Sequence, residues 1–281
     1  MKLISLFLIT ASALLCQTID AIPWGAGPVF SSEASQKSAP RQTSYRAQDV
    51  VFPHLATGGG WETVIVTVNL SKVTLTYNTY YFDQAGNPMP VTLKASNGLL
   101  ITTAATTSSL PPAASLSVPL LDDGTGTKVG WAAITYDATL GQVGGFATFR
   151  QRVEGRPDFE ALVPLSSLVD SRFLMPVDER DGFETALAIC NPGTKLTSTV
   201  TLQMLDPNGR VIANQTITLA PLQQQAFLIQ DKFPTMLGQR GTLYVGGTAT
   251  ALSALGLRFN TLGGSAFSSI PIMNTDAMLT Q

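Results

Sequence analysis

The side chains able to carry chemistry in this chain are few, and several recur at equivalent places in two similar stretches. Glu62 follows Gly59-Gly60-Trp61 and precedes Thr63, while Glu184 follows Asp181-Gly182-Phe183 and precedes Thr185. Two carboxylates roughly 5 to 10 Å apart are the machinery of glycoside hydrolysis. Here each acid opens its own copy of a motif, which points to a structural role used twice. Arg150 and Arg258, on matching later strands, are the expected ion-pair partners. An active site would instead break the repeat, with one copy gaining groups the other lacks.

The single histidine, His54, lies just before the first Gly-rich turn and has no counterpart. A Ser-His-Asp relay would have to use it, and no G-x-S-x-G elbow accompanies it. The expectation is a surface-loop histidine. One histidine and one cysteine beyond Cys16 cannot furnish a zinc site, which needs three or four such ligands. For calcium, which takes clustered oxygens, Asp122 and Asp123 in Asp122-Asp123-Gly124-Thr125-Gly126 are the best candidates, followed by Asp178-Glu179-Arg180-Asp181. Turn formation explains the same residues, so neither a metal nor a cofactor is expected. Gly58-Gly59-Gly60 is followed by no lysine and no helix, which removes a phosphate cradle. The candidate binding residues are aromatic: Trp61, Tyr80, Tyr81 and Trp131. Rings of this kind stack on sugars or anchor a protein partner. Tyr80, Tyr81 and Phe82 are adjacent and cannot all face inward from one strand; covering a sheet beside a neighbouring domain is the competing role.

These residues sit on strands. Val64, Val66 and Val68 alternate with Thr63, Ile65 and Thr67, and Val73, Leu75 and Tyr77 alternate with Thr74, Thr76 and Asn78. Period-two alternation of β-branched and aromatic residues is the strand signature. Further strands are expected at Val91–Lys94, Ser115–Leu120, Lys128–Tyr136, Gly144–Arg152 and Asp158–Leu165, giving seven. The second copy offers seven more, at Phe183–Asn191, Ser198–Leu205, Val211–Leu219, Gln224–Ile229, Gly241–Gly246, Ala251–Asn260 and Ala266–Ile272. Asp83-Gln84-Ala85-Gly86 and Asp206-Pro207-Asn208-Gly209 are matching type I turns, with Asp first and Gly last. Asp231–Leu237 is expected to form a short helical piece, and Pro164–Arg172 the connection between the copies. Cys190 aligns with Val68 in a file with Ala186 and Ala188, and is read as a small core hydrophobe.

A repeat of this length means two copies of one domain. The chain has 281 residues, 44% hydrophobic and 13% charged, with a formal net charge of -2. That charge leaves no basic footprint for nucleic acid. Lys2 followed by the apolar run Leu3–Leu15 reads as a signal peptide over residues 1–21, too short for the ~20 residues of a membrane span. Residues 22–47 form a Ser-, Ala-, Gln- and Pro-rich flexible leader, with a first β-sandwich over 48–168 and a second over 169–281. No transmembrane segment is expected in the mature chain.

Phe52-Pro53 through Trp61-Glu62-Thr63, then Asn69, then Phe82-Asp83-Gln84-Ala85-Gly86, together with Asp181 to Pro192 and Leu257 to Asn260, resemble a widespread set of secreted bacterial proteins built from tandem immunoglobulin-like modules. The resemblance spans about Val51 to Met273. It implies export and an all-β fold of two tandem seven-stranded antiparallel immunoglobulin-like β-sandwiches, and it carries no activity or site residues with it. The function expected is that of a secreted, periplasmic or cell-surface binding or structural module without catalysis. Its partner would be a polysaccharide, an envelope component or another extracellular protein, with self-association through open sheet edges a further possibility. The alternative is a carbohydrate-active hydrolase or its accessory polysaccharide-binding protein, with Asp122, Asp123 or Glu160 as acids.

Overall fold

The computed structural model describes residues 50–94, 98–152, 154–155, 158–167, 171–248, 251–262 and 266–275. The expected signal peptide and leader lie outside them. The described chain is all-β. Its first half comprises β1 (Val50–Thr57), β2 (Trp61–Asn69), β3 (Leu75–Asp83), β4 (Val91–Lys94), β5 (Leu100–Thr103), β6 (Ala105–Leu110), β7 (Ser115–Leu120), β8 (Lys128–Tyr136), β9 (Val143–Gln151), β10 (Phe159–Pro164) and β11 (Ser166–Ser167). The second comprises β12 (Arg172–Asp178), β13 (Phe183–Cys190), β14 (Ser198–Leu205), β15 (Val211–Leu219), β16 (Gln224–Leu228), β17 (Arg240–Gly247), β18 (Ser253–Asn260), β19 (Ala266–Ile270) and β20 (Met273–Asn274). The short helical piece forms as α1 (Ile229–Lys232) and a 3-10 turn over Pro234–Met236.

Strand order repeats between the halves. The first has a five-stranded sheet, β11-β1-β8-β3-β6, and a four-stranded sheet, β10-β9-β2-β7. The second has β20-β12-β17-β14-β15 and β19-β18-β13-β16, the same sequence of counterparts. Only the β4–β5 hairpin has no partner in the second half among the described residues. The seven strands expected per copy miss β1, β5, β6 and β11 in the first half and β12 and β20 in the second. β1 is buried at all eight positions, so a period of two cannot show in its sequence. Its Pro53 is tolerated because the register with β8 slips between Phe52 and Leu55.

Each half passes from its first strand to its second through a tight turn whose two central residues are left-handed. These are Gly59 and Gly60, at φ 60° and 89°, and Asp181 and Gly182, at φ 53° and 77°. Gly58 N–H donates to the Trp61 carbonyl at 2.9 Å, and Phe183 N–H donates to the Arg180 carbonyl at 2.8 Å. Positive φ at both central residues is the type I′ turn, for which Gly-Gly and Asp-Gly are preferred sequences.

In β2 the buried file is Thr63, Ile65, Thr67 and Asn69, with Val64, Val66 and Val68 half-exposed on the outer face. Six consecutive residues of β13, Thr185 to Cys190, are buried. Leu187 and Ile189 belong to the second half's own core. Ala186 and Ala188, with Leu255, Leu257 and Phe267, join the cluster of the first half. Cys190 packs with Val51, Phe82, Trp131 and Ala133. It is buried as expected, but against the other half rather than in its own sandwich. One four-stranded sheet therefore has both faces covered, and its counterpart has one.

Candidate functional site

The recurring polar residues are pins for the backbone. Thr63 Oγ1 donates to the Ala56 carbonyl at 2.6 Å, and Thr185 Oγ1 donates to the Asp178 carbonyl at 3.1 Å. Each hydroxyl also accepts the amide of the residue it bonds, Ala56 N at 3.3 Å and Asp178 N at 3.0 Å. This ties the first strand of each half to the second, across two sheets. Asn69 Nδ2 donates to the carbonyls of Val73, Leu110 and Pro111 at 2.8, 2.8 and 3.1 Å. Asn191 Nδ2 does the same with Leu196, Leu219 and Ala220 at 2.8, 3.1 and 3.2 Å. Buried carbonyls require such partners.

The expected ion pairs are corrected by register. Glu62 pairs with Arg152 at 2.7 Å, and Arg150 with Glu160 at 3.4 Å. Glu62 lies opposite Arg150, whereas Glu184 lies opposite Phe259 and Thr185 opposite Arg258. A one-residue difference sends the side chain to the other face. Arg258 thus lies 3.4 Å from the centroid of the Phe183 ring and donates to Asp178 Oδ2 at 2.8 Å. Asp178 also receives Arg240 at 2.9 and 3.1 Å. These arginines, Arg240 foremost, hold its carboxyl down at about 2. Beside it, Glu179 is buried, with Oε1 accepting the Thr185 amide at 2.8 Å and Oε2 lacking a partner. Desolvation pushes its pKa up to about 7.

His54 is not a surface-loop residue. It is 1% exposed within β1, in the slip where β1 has one residue more than β8. β12 has an unbroken register with β17, so His54 is the additional residue of a bulge that the second half lacks. Its ring meets Phe149 edge-on at 5.2 Å, and Nδ1 lies 3.2 Å from Gln224 Nε2. Burial lowers its pKa to about 4, so it is neutral at pH 7.

The aromatic candidates are packing groups. Trp131 is 0% exposed and donates Nε1–H to the Leu222 carbonyl at 2.9 Å. Tyr81 is 2% exposed, and its removal from water pushes its hydroxyl pKa well up. Neither offers a face to a ligand, which corrects their reading as stacking platforms. Trp61 stacks on Phe149 at 4.6 Å and meets Phe267 of the second half at 5.8 Å. Tyr80 is half-buried against the cluster around Trp131. Of the three adjacent rings, Tyr81 and Phe82 are both buried, because both faces of this sheet are covered there.

Asp122 and Asp123 are occupied by protein donors. Asp122 accepts the amides of Gly59 and Gly124, at 3.2 and 2.9 Å. Asp123 accepts from Lys128 Nζ at 2.6 Å and from Thr125, and this holds its pKa well below the usual range. A lysine ammonium stands where a cation would have to bind. Among the described residues no group of three or more His, Cys, Asp or Glu side chains could hold a metal ion.

The junction between the halves is the most elaborated polar site. Gln224 Nε2 donates to the Pro53 carbonyl at 2.6 Å and to that of Gly130 at 3.0 Å, and its backbone N–H donates to the Gln84 carbonyl at 3.0 Å. Sequence reasoning missed it, since Gln224 sits in the run Gln223-Gln224-Gln225 after a turn, and nothing local tells the buried glutamine from its half-buried neighbours. A cleft of about 370 Å³ opens separately in the second half, lined by Pro176, Asp178, Pro207, Arg240, Thr242 and Arg258 among others. Compared with known proteins, the chain matches no family model and no curated sequence.

Proposed function

We propose that the chain is an exported pair of tandem immunoglobulin-like modules that acts in the extracellular or envelope space as a binding or structural unit without catalysis. One observation carries this reading: the residues that recur between the halves, Thr63 and Thr185, Asn69 and Asn191, are used to pin backbone. The recurrence therefore encodes architecture. The buried contacts of Gln224, Trp131 and Phe267 favour a rigid block that presents its loops and outer sheet faces in fixed relation.

The test is depletion of the purified protein from solution by a panel of insoluble polysaccharides and bacterial envelope fractions, with heat-unfolded protein as control. Selective depletion of the folded protein is the expected result. Release of soluble reducing sugar from any polysaccharide would replace this reading with the hydrolase one. Absence of depletion by every member of the panel would remove the polysaccharide and envelope partners.

A further inference from the structure

The cleft in the second half is the counterpart of the surface by which the first half holds the second. Strand order and register align Pro53 with Pro176, Gly130 with Gly241, Trp131 with Thr242, and Phe149 with Arg258. The matching turns align Gln84 with Pro207. In the first half these residues are occupied: Pro53, Gly130 and Gln84 accept from Gln224, Trp131 donates to Leu222, and Phe149 meets Phe267 at 5.6 Å. In the second half their counterparts line the open cleft.

The surface inserted into the first half also has a counterpart. Ala186, Ala188 and Cys190 correspond to Val64, Val66 and Val68, Leu255 to Phe146, and Phe267 to Glu160. Leu222 and Ala113 share the same left-handed backbone, at φ 63° and 59°. On the first half this face is apolar and half-exposed: Val64, Val66, Val68 and Phe146, with Pro119 and the 46% exposed Leu162 beside them.

We infer that copies of this chain dock head to tail, the outer face of β10-β9-β2-β7 in one copy entering the Asp178–Arg258 cleft of the next as β19-β18-β13-β16 enters the first half within a copy. Charge selects the occupant. The intramolecular pair Phe149–Phe267 becomes Arg258 facing Glu160 between copies, each adding to the partner it already has, Asp178 and Arg150. Opposite charges there give register and partner choice. The two surfaces are different, so the contact is heterologous and propagates beyond two copies. The inference rests on the two-module reading and not on any ligand, so failure of the polysaccharide panel leaves it standing.

Sedimentation of the purified protein across concentrations up to on the order of 1 mM tests it. The average mass is expected to rise past that of two copies. Val66→Asp and Glu160→Arg, both on the solvent face, should each weaken association by about tenfold or more with far-ultraviolet circular dichroism and melting temperature retained. A geometric control mixes Thr242→Cys with Ala113→Cys, the counterparts of the Trp131–Leu222 contact, and adds a short bis-maleimide. A cross-linked dimer should form in the mixture and not with either variant alone. A monomer at every concentration overturns the inference, as does association that persists in both face variants, because it would use another surface.

Discussion

At the scale of single residues, two buried titratable groups set opposing pH dependences. His54 ionises at about 4 when folded against 6.5 when unfolded. The folded chain binds fewer protons there, so stability falls as pH drops from about 6.5 through about 4. Glu179 holds its proton to about 7 when folded against 4.5 when unfolded, so its contribution is full below 4.5 and is lost as pH rises through about 7. Glu179→Gln should therefore raise stability at pH 8 by about 1–3 kcal/mol and steepen the loss on acidification. His54→Asn should flatten that acid limb at some cost in packing. Urea unfolding at a series of pH values measures both slopes, and unchanged slopes in both variants would contradict the assignment. Asn191→Ala strands buried carbonyls at the end of β13 and should cost about 1–3 kcal/mol by the same method. The repeat made Asn69 and Asn191 visible in the sequence, but their acceptors lie as far as 42 and 29 positions away and depend on the folded loops.

At the scale of elements, the turns and most strands were legible because their signals are local. The turn before β2 should resist a side chain at its second central residue: Gly60→Val is expected to cost about 1–2 kcal/mol from the backbone alone. Asp181→Gly, in the counterpart turn, should change stability by a few tenths of a kcal/mol, since glycine adopts the same φ freely. Denaturation midpoints compare the two directly. Strand β1 escaped because burial on both faces erases alternation, and β12 because half-buried Leu174 on its outer file makes an unbroken Phe-Leu-Met run of an alternating strand. The ion pairs of Arg150 and Arg258 escaped for a different reason: similar strings, Thr-Phe-Arg-Gln and Leu-Arg-Phe-Asn, set their arginines one register apart, which sequence alignment by residue type conceals.

At the scale of the molecule, one apolar cluster contains residues of both halves. Unfolding should accordingly be a single cooperative transition, seen as coincident fluorescence and circular dichroism curves, rather than two steps. Cys190 reports the junction. Its thiol is fully buried, and burial pushes its pKa far up, so a thiol reagent should label the native protein only at the rate at which the junction opens. Phe267→Ala, which removes the ring that meets both Trp61 and Phe149, should speed that labelling and separate the two transitions. Rapid labelling of the native protein would contradict a closed junction.

By itself the sequence determined the strand class, the tight turns and the duplication, because alternation, Gly-Gly and Asp-Gly pairs and a repeated motif are properties of neighbours along the chain. Only the tertiary structure decided which face of each sheet is inside. The same outward file is half-exposed as Val64, Val66 and Val68, yet buried as Ala186, Ala188 and Cys190. It also placed His54 in the interior and moved Trp131 and Tyr81 from candidate binding surface to core. The physical reason is common to all of these: burial depends on what packs against a face from distant chain, and no local pattern of side chains records it.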